Sequence, residues 1–358
     1  MNIMFFIYDI AAGGTEQMLM NCYQNSNVIK KNKCYLVSTG IKNNQCFENL
    51  KKCGFEIIIT KNNISSKLNY FKEIKKIIKD RKIDVVYSNL ALDSYLPLLA
   101  AKVNRIKVRI AHMHTTAEKI KPGFISKIKR FVEIFMINEF SNQRIACSNK
   151  SGKSYFYKDY KVIYNGVDIN KFKFDNNIRI EYRRKYNIKD DEILIGYFAR
   201  FEQIKNYFFL LETFNELIKK NEKYKLIIIG TGRLEKDILQ YIKDKKIEKN
   251  IIIETPKNNI ADYYQMLDIF TFPSLSEGFG LVAVEAQLNG LKCICSNNIP
   301  KETKISDNIV YLELDKDIWI QEIVKEHKRY FKNINNIKFD IREQKNETNN
   351  LFNMIQKI

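Results

Sequence analysis

The chain is 358 residues long, more than one hydrophobic core usually spans, so two domains are expected. Its 60 Lys and Arg against 41 Asp and Glu give a formal net charge of +19, which favours anionic partners such as phosphorylated ligands or acidic lipid surfaces. No basic run interleaved with aromatics reads as a nucleic-acid motif, and no apolar run approaches the roughly 20 residues of a membrane span.

The opening MNIMFFIYDI lacks a basic leader and a small-residue cleavage site, so it reads as a first strand, not a signal peptide. The seven cysteines are scattered without a C-x-x-C pair and read as reduced cytoplasmic thiols. Strands are expected at 3–7, 34–38, 56–60, 85–88 and 108–112. Helices are expected from 15 and at 46–52, 68–79 and 94–103. In 124–140, Phe124, Ile125, Ile128, Phe131, Val132 and Phe135 recur at helical spacing beside Lys121, Lys127, Lys129 and Arg130. Two readings stay open there: a helix packed on its own sheet, or an amphipathic helix touching an anionic bilayer. Strands at 145–148 and 162–164 close this half, Asn165-Gly-Val-Asp168 makes a turn, and the polar span 169–191 reads as a linker. A second cycle follows, with strands at 193–198, 226–229, 251–254, 269–272, 292–295 and 310–312. Its helices are expected at 207–219, from 234, and at 260–266 and 281–288, with a helical tail over 317–358. This alternation predicts an α/β protein of two Rossmann-like domains, 1–168 and 192–340. They would face a central cleft where the carboxyl ends of the strands place a ligand.

The chemistry concentrates in Pro273-Ser-Leu-Ser-Glu-Gly-Phe-Gly-Leu-Val-Ala-Val-Glu-Ala286, a strand end, a turn and a helix start. Gly278 and Gly280 let backbone N–H groups approach a ligand, and the helix N-terminus behind them favours a phosphate. Glu277 and Glu285 remain to accept hydrogen bonds from hydroxyls, and phosphates with hydroxyls describe a nucleotide-sugar. The plainer reading is a helix start with an acidic first turn. Arg200 and Lys205, just past a strand, would clamp a pyrophosphate. Gly230-Thr-Gly232 is either a turn or a backbone approach to the nucleotide. Gly13-Gly14 fails the G-x-G-x-x-G pattern and is either a tight turn or a phosphate-facing loop. His112 and His114 end a strand without a third metal ligand; either could meet a sugar hydroxyl or be a satisfied structural residue. The D-x-D at Asp315-Lys-Asp317 lies late, so no divalent cation or other cofactor is expected.

Taken together these residues resemble a known family. A-R-F-E-Q-I-K-N, ending at Asn206, is similar to the Arg-x4-Lys-Asn signature of the bacterial family 4 retaining glycosyltransferases, and the two-glutamate stretch to their nucleotide-sugar motif. I-I-G-T-G, ending at Gly232, V-I-Y-N-G-V-D, ending at Asp168, the early Gly-Gly-Thr-Glu and the His-Thr at His114 fit as well. The pattern is closest to the capsule and exopolysaccharide branch. The resemblance implies a GT-B fold whose C-terminal helix, about 341–358, returns to the N-terminal domain, and metal-independent hexose transfer with retention from a nucleotide-sugar, UDP by family frequency. The acceptor would be a lipid-linked oligosaccharide or a glycan, and an anionic inner-membrane surface is a further expected partner. Arg200 and Lys205 would hold the diphosphate, Glu285 the ribose, and Glu277 the sugar, with the backbone of Phe279 to Leu281 beside it. Gly14 would lie near the phosphates and acceptor, and His114 on the transferred sugar, with His112 its rival. Thr255-Pro256 departs from the family, which often has a glycine there. A sugar-nucleotide epimerase of the same fold and a non-catalytic glycan- or membrane-binding protein are the alternatives.

Overall fold

The computed structural model describes residues 1–11, 13–24, 26–116, 123–255, 259–326, 328–331 and 338–356. Lys121 and Pro256, named above, lie outside them. The chain divides into two compact units, 1–166 with 338–358, and 167–337.

Unit 1 holds strands β1 (Asn2–Phe6), β2 (Lys33–Ser38), β3 (Glu56–Ile59), β4 (Val85–Ser88), β5 (Val108–Met113), β6 (Gln143–Ala146) and β7 (Lys161–Val162). They form one parallel sheet in the order β3-β2-β1-β4-β5-β6-β7. Alternate residues point to opposite faces of a strand, and here both faces are covered. Ile3, Phe5, Leu36, Val85 and Tyr87 join one core, and Met4, Phe6, Tyr35, Val37 and Val86 the other. This is why the strands read as near-continuous apolar runs. The C-terminal helix Ile341–Ile355 adds Leu351, Phe352 and Ile355 to the first core. Phe352 stacks on Tyr87, and Gly166 donates its N–H to Gln344 at 2.7 Å. The chain thus comes back to its N-terminal unit, as the family resemblance implies.

Unit 2 holds β8 (Ile193–Phe198), β9 (Tyr224–Ile229), β10 (Ile251–Glu254), β11 (Ile269–Phe272), β12 (Lys292–Ser296) and β13 (Ile309–Leu312). Their order is β10-β9-β8-β11-β12-β13, again parallel.

One expectation fails here. The span 169–191, read as a linker, contains the helix Asn176–Lys185, and it belongs to unit 2. Arg183 is buried and donates to the carbonyls of Met266, Lys189 and Glu192 and to Asp268. Arg179 donates to the other Asp268 oxygen at 2.6 Å. The polar sequence is therefore an ion-pair anchor turned inward; by composition it could not be told from a solvated tether. All seven cysteines are buried and none forms a disulfide.

Candidate active sites

In unit 2 the sheet order reverses between β8 and β11. After β8 the chain builds one flank; it then crosses back and builds the other from β11. The loops leaving these neighbouring strands diverge, and that edge is where open α/β sheets take ligands. Arg200 lies two residues past β8. It is exposed, and its guanidinium has no hydrogen-bond or ion-pair partner among the described residues. Lys205 ends the short turn Gln203–Lys205, and Asn206 beyond it is left-handed, with φ 55° and ψ 43°. The two loops are stitched together. Asn206 Nδ2 donates to the Pro273 carbonyl at 3.2 Å, Leu275 N to the Ile204 carbonyl at 2.8 Å, and the Tyr197 hydroxyl to the Lys205 carbonyl at 2.7 Å. The result is an ion pair between Lys205 Nζ and Glu277 Oε1, with side chains only 16% and 13% exposed. A pair so enclosed is costly to break on one side only, because the remaining charge stays buried.

Past Glu277 the chain turns through Gly278 and Phe279, and Gly280 then caps the helix Leu281–Leu288 with φ +98°. A Cβ on Gly280 would stand 2.9 Å from the Phe272 ring. Ala283 N donates to the Gly280 carbonyl at 3.0 Å, and a helix start of this kind favours an anion through its remaining first-turn N–H groups. One turn in, Glu285 Oε2 accepts a 2.8 Å hydrogen bond from the hydroxyl of the fully buried Tyr264. Burial pushes the Glu285 carboxyl up to about 6, against the opposing pull of the Tyr264 hydroxyl and Lys171.

The glycines Gly230 and Gly232 have a structural cause. A Cβ on Gly230 would lie 2.0 Å from the Ala199 carbonyl, and one on Gly232 2.5 Å from that of Phe201. Phe201 N donates to Thr231 O, and Leu234 N to Phe201 O. The turn after β9 is thus pressed against the loop that carries Arg200, and both glycines serve that approach.

In unit 1 the reversal falls between β1 and β4. Gly14 opens the helix Gly14–Tyr23, and nothing lies within 4 Å of where its Cβ would be. Glu16 folds back to accept from Ala11 N at 2.9 Å. His112 and His114 lie at the end of β5, with ring centroids 4.0 Å apart. His112 is 2% exposed, and its Nδ1 meets the Tyr87 hydroxyl at 2.8 Å. His114 is partly exposed, and its Nε2 meets Asn89 Oδ1 at 2.9 Å. Asn89 Nδ2 donates to the Phe6 carbonyl, which assigns Oδ1 to the histidine. His114 Nε2 therefore carries the hydrogen, and Nδ1 is a bare acceptor without a hydrogen-bond partner among the described residues. Desolvation holds both rings neutral, pushing His114 down to about 4 and His112 well below the usual imidazole range, with the neighbouring ring adding to the effect at His112.

Of the residues singled out in the sequence, the structure gathers Arg200, Lys205, Glu277, Gly278, Phe279, Gly280, Leu281 and Glu285 around one sheet edge of unit 2. Gly14, His112 and His114 belong to unit 1. Tyr264 and Asn89 were missed; Asn89 directly follows a strand and could have been noticed, whereas nothing local marks Tyr264. Asp315 caps the helix Lys316–Ile323 through Ile318 N. Among the described residues, no group of three His, Cys, Asp or Glu side chains gathers as a metal site would require.

Residues 31–171 match the family model Glycosyltransferase Family 4, and residues 178–310 the model Glycosyl transferases group 1. EpsF of Bacillus subtilis (strain 168), named as a glycosyltransferase, is 25% identical over 87% of this chain and 84% of its own. The capsular polysaccharide biosynthesis glycosyltransferase CapH of Staphylococcus aureus is 29% identical over 76% and 77%. The Escherichia coli UDP-Gal:alpha-D-GlcNAc-diphosphoundecaprenol alpha-1,3-galactosyltransferase is 27% identical over 62% and 60%. Among solved structures, Anabaena HepE in complex with UDP and glucose superposes with a TM-score of 0.82 at 17% identity, covering 98% of this chain and 99% of that one. The likeness to HepE shows the GT-B fold, and the two successive domain models, which together span most of the chain, place it in the family 4 glycosyltransferases.

Proposed function

We propose that the protein transfers a hexose from a UDP-sugar to a hydroxyl of a lipid-linked or saccharide acceptor, with retention at the anomeric carbon, in capsule or other surface-polysaccharide synthesis. The observation that carries this reading is the Lys205–Glu277 ion pair beside a glycine-capped helix start, at the reversal point of one sheet whose loops and following helix also carry Arg200 and Glu285. The relatives named for capsular polysaccharide and for a diphosphoundecaprenol acceptor, and the HepE complex with UDP and glucose, support the substrate classes. A lipid-linked acceptor puts the work at a membrane face, the cytoplasmic one, where the surplus of basic residues suits anionic lipid.

In this scheme Arg200 and Lys205 neutralise the diphosphate. Lys205 has Glu277 as its counter-ion in this structure, so the diphosphate takes over that role and releases Glu277 to accept from sugar hydroxyls. Glu285 accepts from the ribose hydroxyls, beside the N–H groups of Phe279 to Leu281. For Gly14 and His114 of unit 1 the resemblance implies the phosphate, acceptor and sugar roles given above. The bond from C1 to the phosphate oxygen breaks, C1 bonds to the acceptor oxygen, and the leaving phosphate takes the acceptor's proton. The protein contributes orientation and charge stabilisation, and the scheme requires no metal.

A thermal-shift panel of nucleotide-sugars tests the reading, because a ligand that binds the native state raises its melting temperature. UDP-sugars are expected to raise it. Lys205→Ala is expected to lower turnover by about 100-fold or more while folding is kept. A panel without any stabilising nucleotide-sugar, or near-normal turnover of the variant, would overturn the scheme.

A further inference from the structure

The helix Phe124–Phe140 presents an apolar surface that the fold does not use. Phe124, Ile125, Ile128, Phe131, Val132 and Phe135 are 78%, 82%, 50%, 71%, 45% and 50% exposed. At 3.6 residues per turn they fall on a single stripe about 120° wide. The opposite side is fastened to unit 1. Glu133 is buried and pairs with Lys67 Nζ at 3.2 Å and more loosely with the exposed Lys129 Nζ at 3.8 Å, and Ile137 is fully buried; at the stripe's edge, near the helix end, Asn138 Nδ2 donates to the Tyr155 carbonyl at 2.9 Å. The stripe is therefore the outward face of an anchored helix. By the same geometry Lys127 and Lys129 fall along its two borders, and Leu68, 65% exposed, follows the Lys67 that holds Glu133. A soluble chain seldom leaves so much contiguous apolar surface in water.

We propose that this face is a docking surface for an anionic lipid bilayer, with the phenylalanine and isoleucine side chains at the headgroup–acyl boundary and Lys127 and Lys129 against lipid phosphates. Charge selects this occupant. A second copy docked face to face would bring like-charged lysine borders together, whereas an acidic lipid surface complements them. The proposal deepens the reading of the acceptor as lipid-linked, but its readout is lipid binding, which is independent of transfer.

The test is co-sedimentation of the full chain with vesicles of phosphatidylglycerol and phosphatidylcholine in equal parts, and with pure phosphatidylcholine, at low and high salt. The protein is expected to pellet with the anionic vesicles at low salt and to be released by high salt. The double variant Phe124→Ser, Phe131→Ser should lose at least about tenfold in vesicle affinity while its melting temperature and its stabilisation by UDP stay unchanged. Lys127→Glu should weaken binding only at low salt. Wild-type protein that stays in the supernatant with anionic vesicles, or a double variant that pellets as well as wild type, would overturn the proposal. So would a wild-type dimer that the double variant converts to monomer without any vesicle binding. Because UDP stabilisation is read separately, failure of docking and failure of the donor site give different results.

Discussion

Tyr264→Phe removes one hydroxyl and leaves the packing in place. The ring is enclosed by Phe172, Phe198 and Phe270, and the lost atom is the donor to Glu285 Oε2 at 2.8 Å. A hydrogen bond to a charged acceptor contributes about 1.5–3 kcal/mol, and each pH unit of a carboxyl midpoint corresponds to about 1.4 kcal/mol. Burial already holds Glu285 at about 6; without the hydroxyl the midpoint should move to roughly pH 7–8. If Glu285 binds the ribose as a carboxylate, UDP affinity of the wild type falls as the pH drops below about 6. In the variant the fall begins higher, so that near neutral pH it binds UDP roughly several-fold more weakly and in alkaline buffer the difference narrows. Calorimetric titration of UDP across this range measures both profiles. The stability sign is opposite to that of a salt-bridged acid. Glu285 is raised above its unfolded value, so its contribution is fully present at acid pH and is lost as the pH rises through about 6. Superimposable UDP profiles for wild type and variant would refute the role given to this pair.

Two substitutions test the scaffold beneath the site. Gly230→Ala places a Cβ 2.0 Å from the Ala199 carbonyl, a clash of backbone with backbone that no rotamer relieves. It should cost more than about 2 kcal/mol in urea unfolding and weaken UDP binding by shifting the Arg200 loop; wild-type stability would show that the approach is slack. Asp268→Asn leaves Arg179 and Arg183 without their carboxylate and should cost about 3 kcal/mol. A loss below about 1 kcal/mol would mean that the carbonyl partners of Arg183 suffice.

The architecture was legible because it is local. Apolar runs at 85–88, 193–198, 251–254 and 269–272 mark buried parallel strands, and the segments between them carry helical periodicity; the observed strands coincide with these spans. What stayed hidden is non-local. The helix Asn176–Lys185 looks solvated until Asp268, some 90 residues later, is brought to its arginines. Gly230 looks like a generic turn until β9 is laid beside β8. The same limit bears on the chemistry. Read along the chain, Lys205 and Glu277 are separate reagents, one for phosphate and one for sugar, 72 residues apart. They meet because the sheet reverses between β8 and β11 and makes neighbours of strands with two others between them in sequence. Once they meet, each neutralises the other, and the site is not a bare cationic cradle. An isolated anion must displace Glu277 to reach Lys205, and the freed carboxylate then carries a desolvation cost. A diphosphate that brings a sugar supplies hydroxyls to that carboxylate at the same moment. On the proposed function, the pairing would therefore favour the intact nucleotide-sugar over free phosphate, a discrimination that neither residue could supply alone.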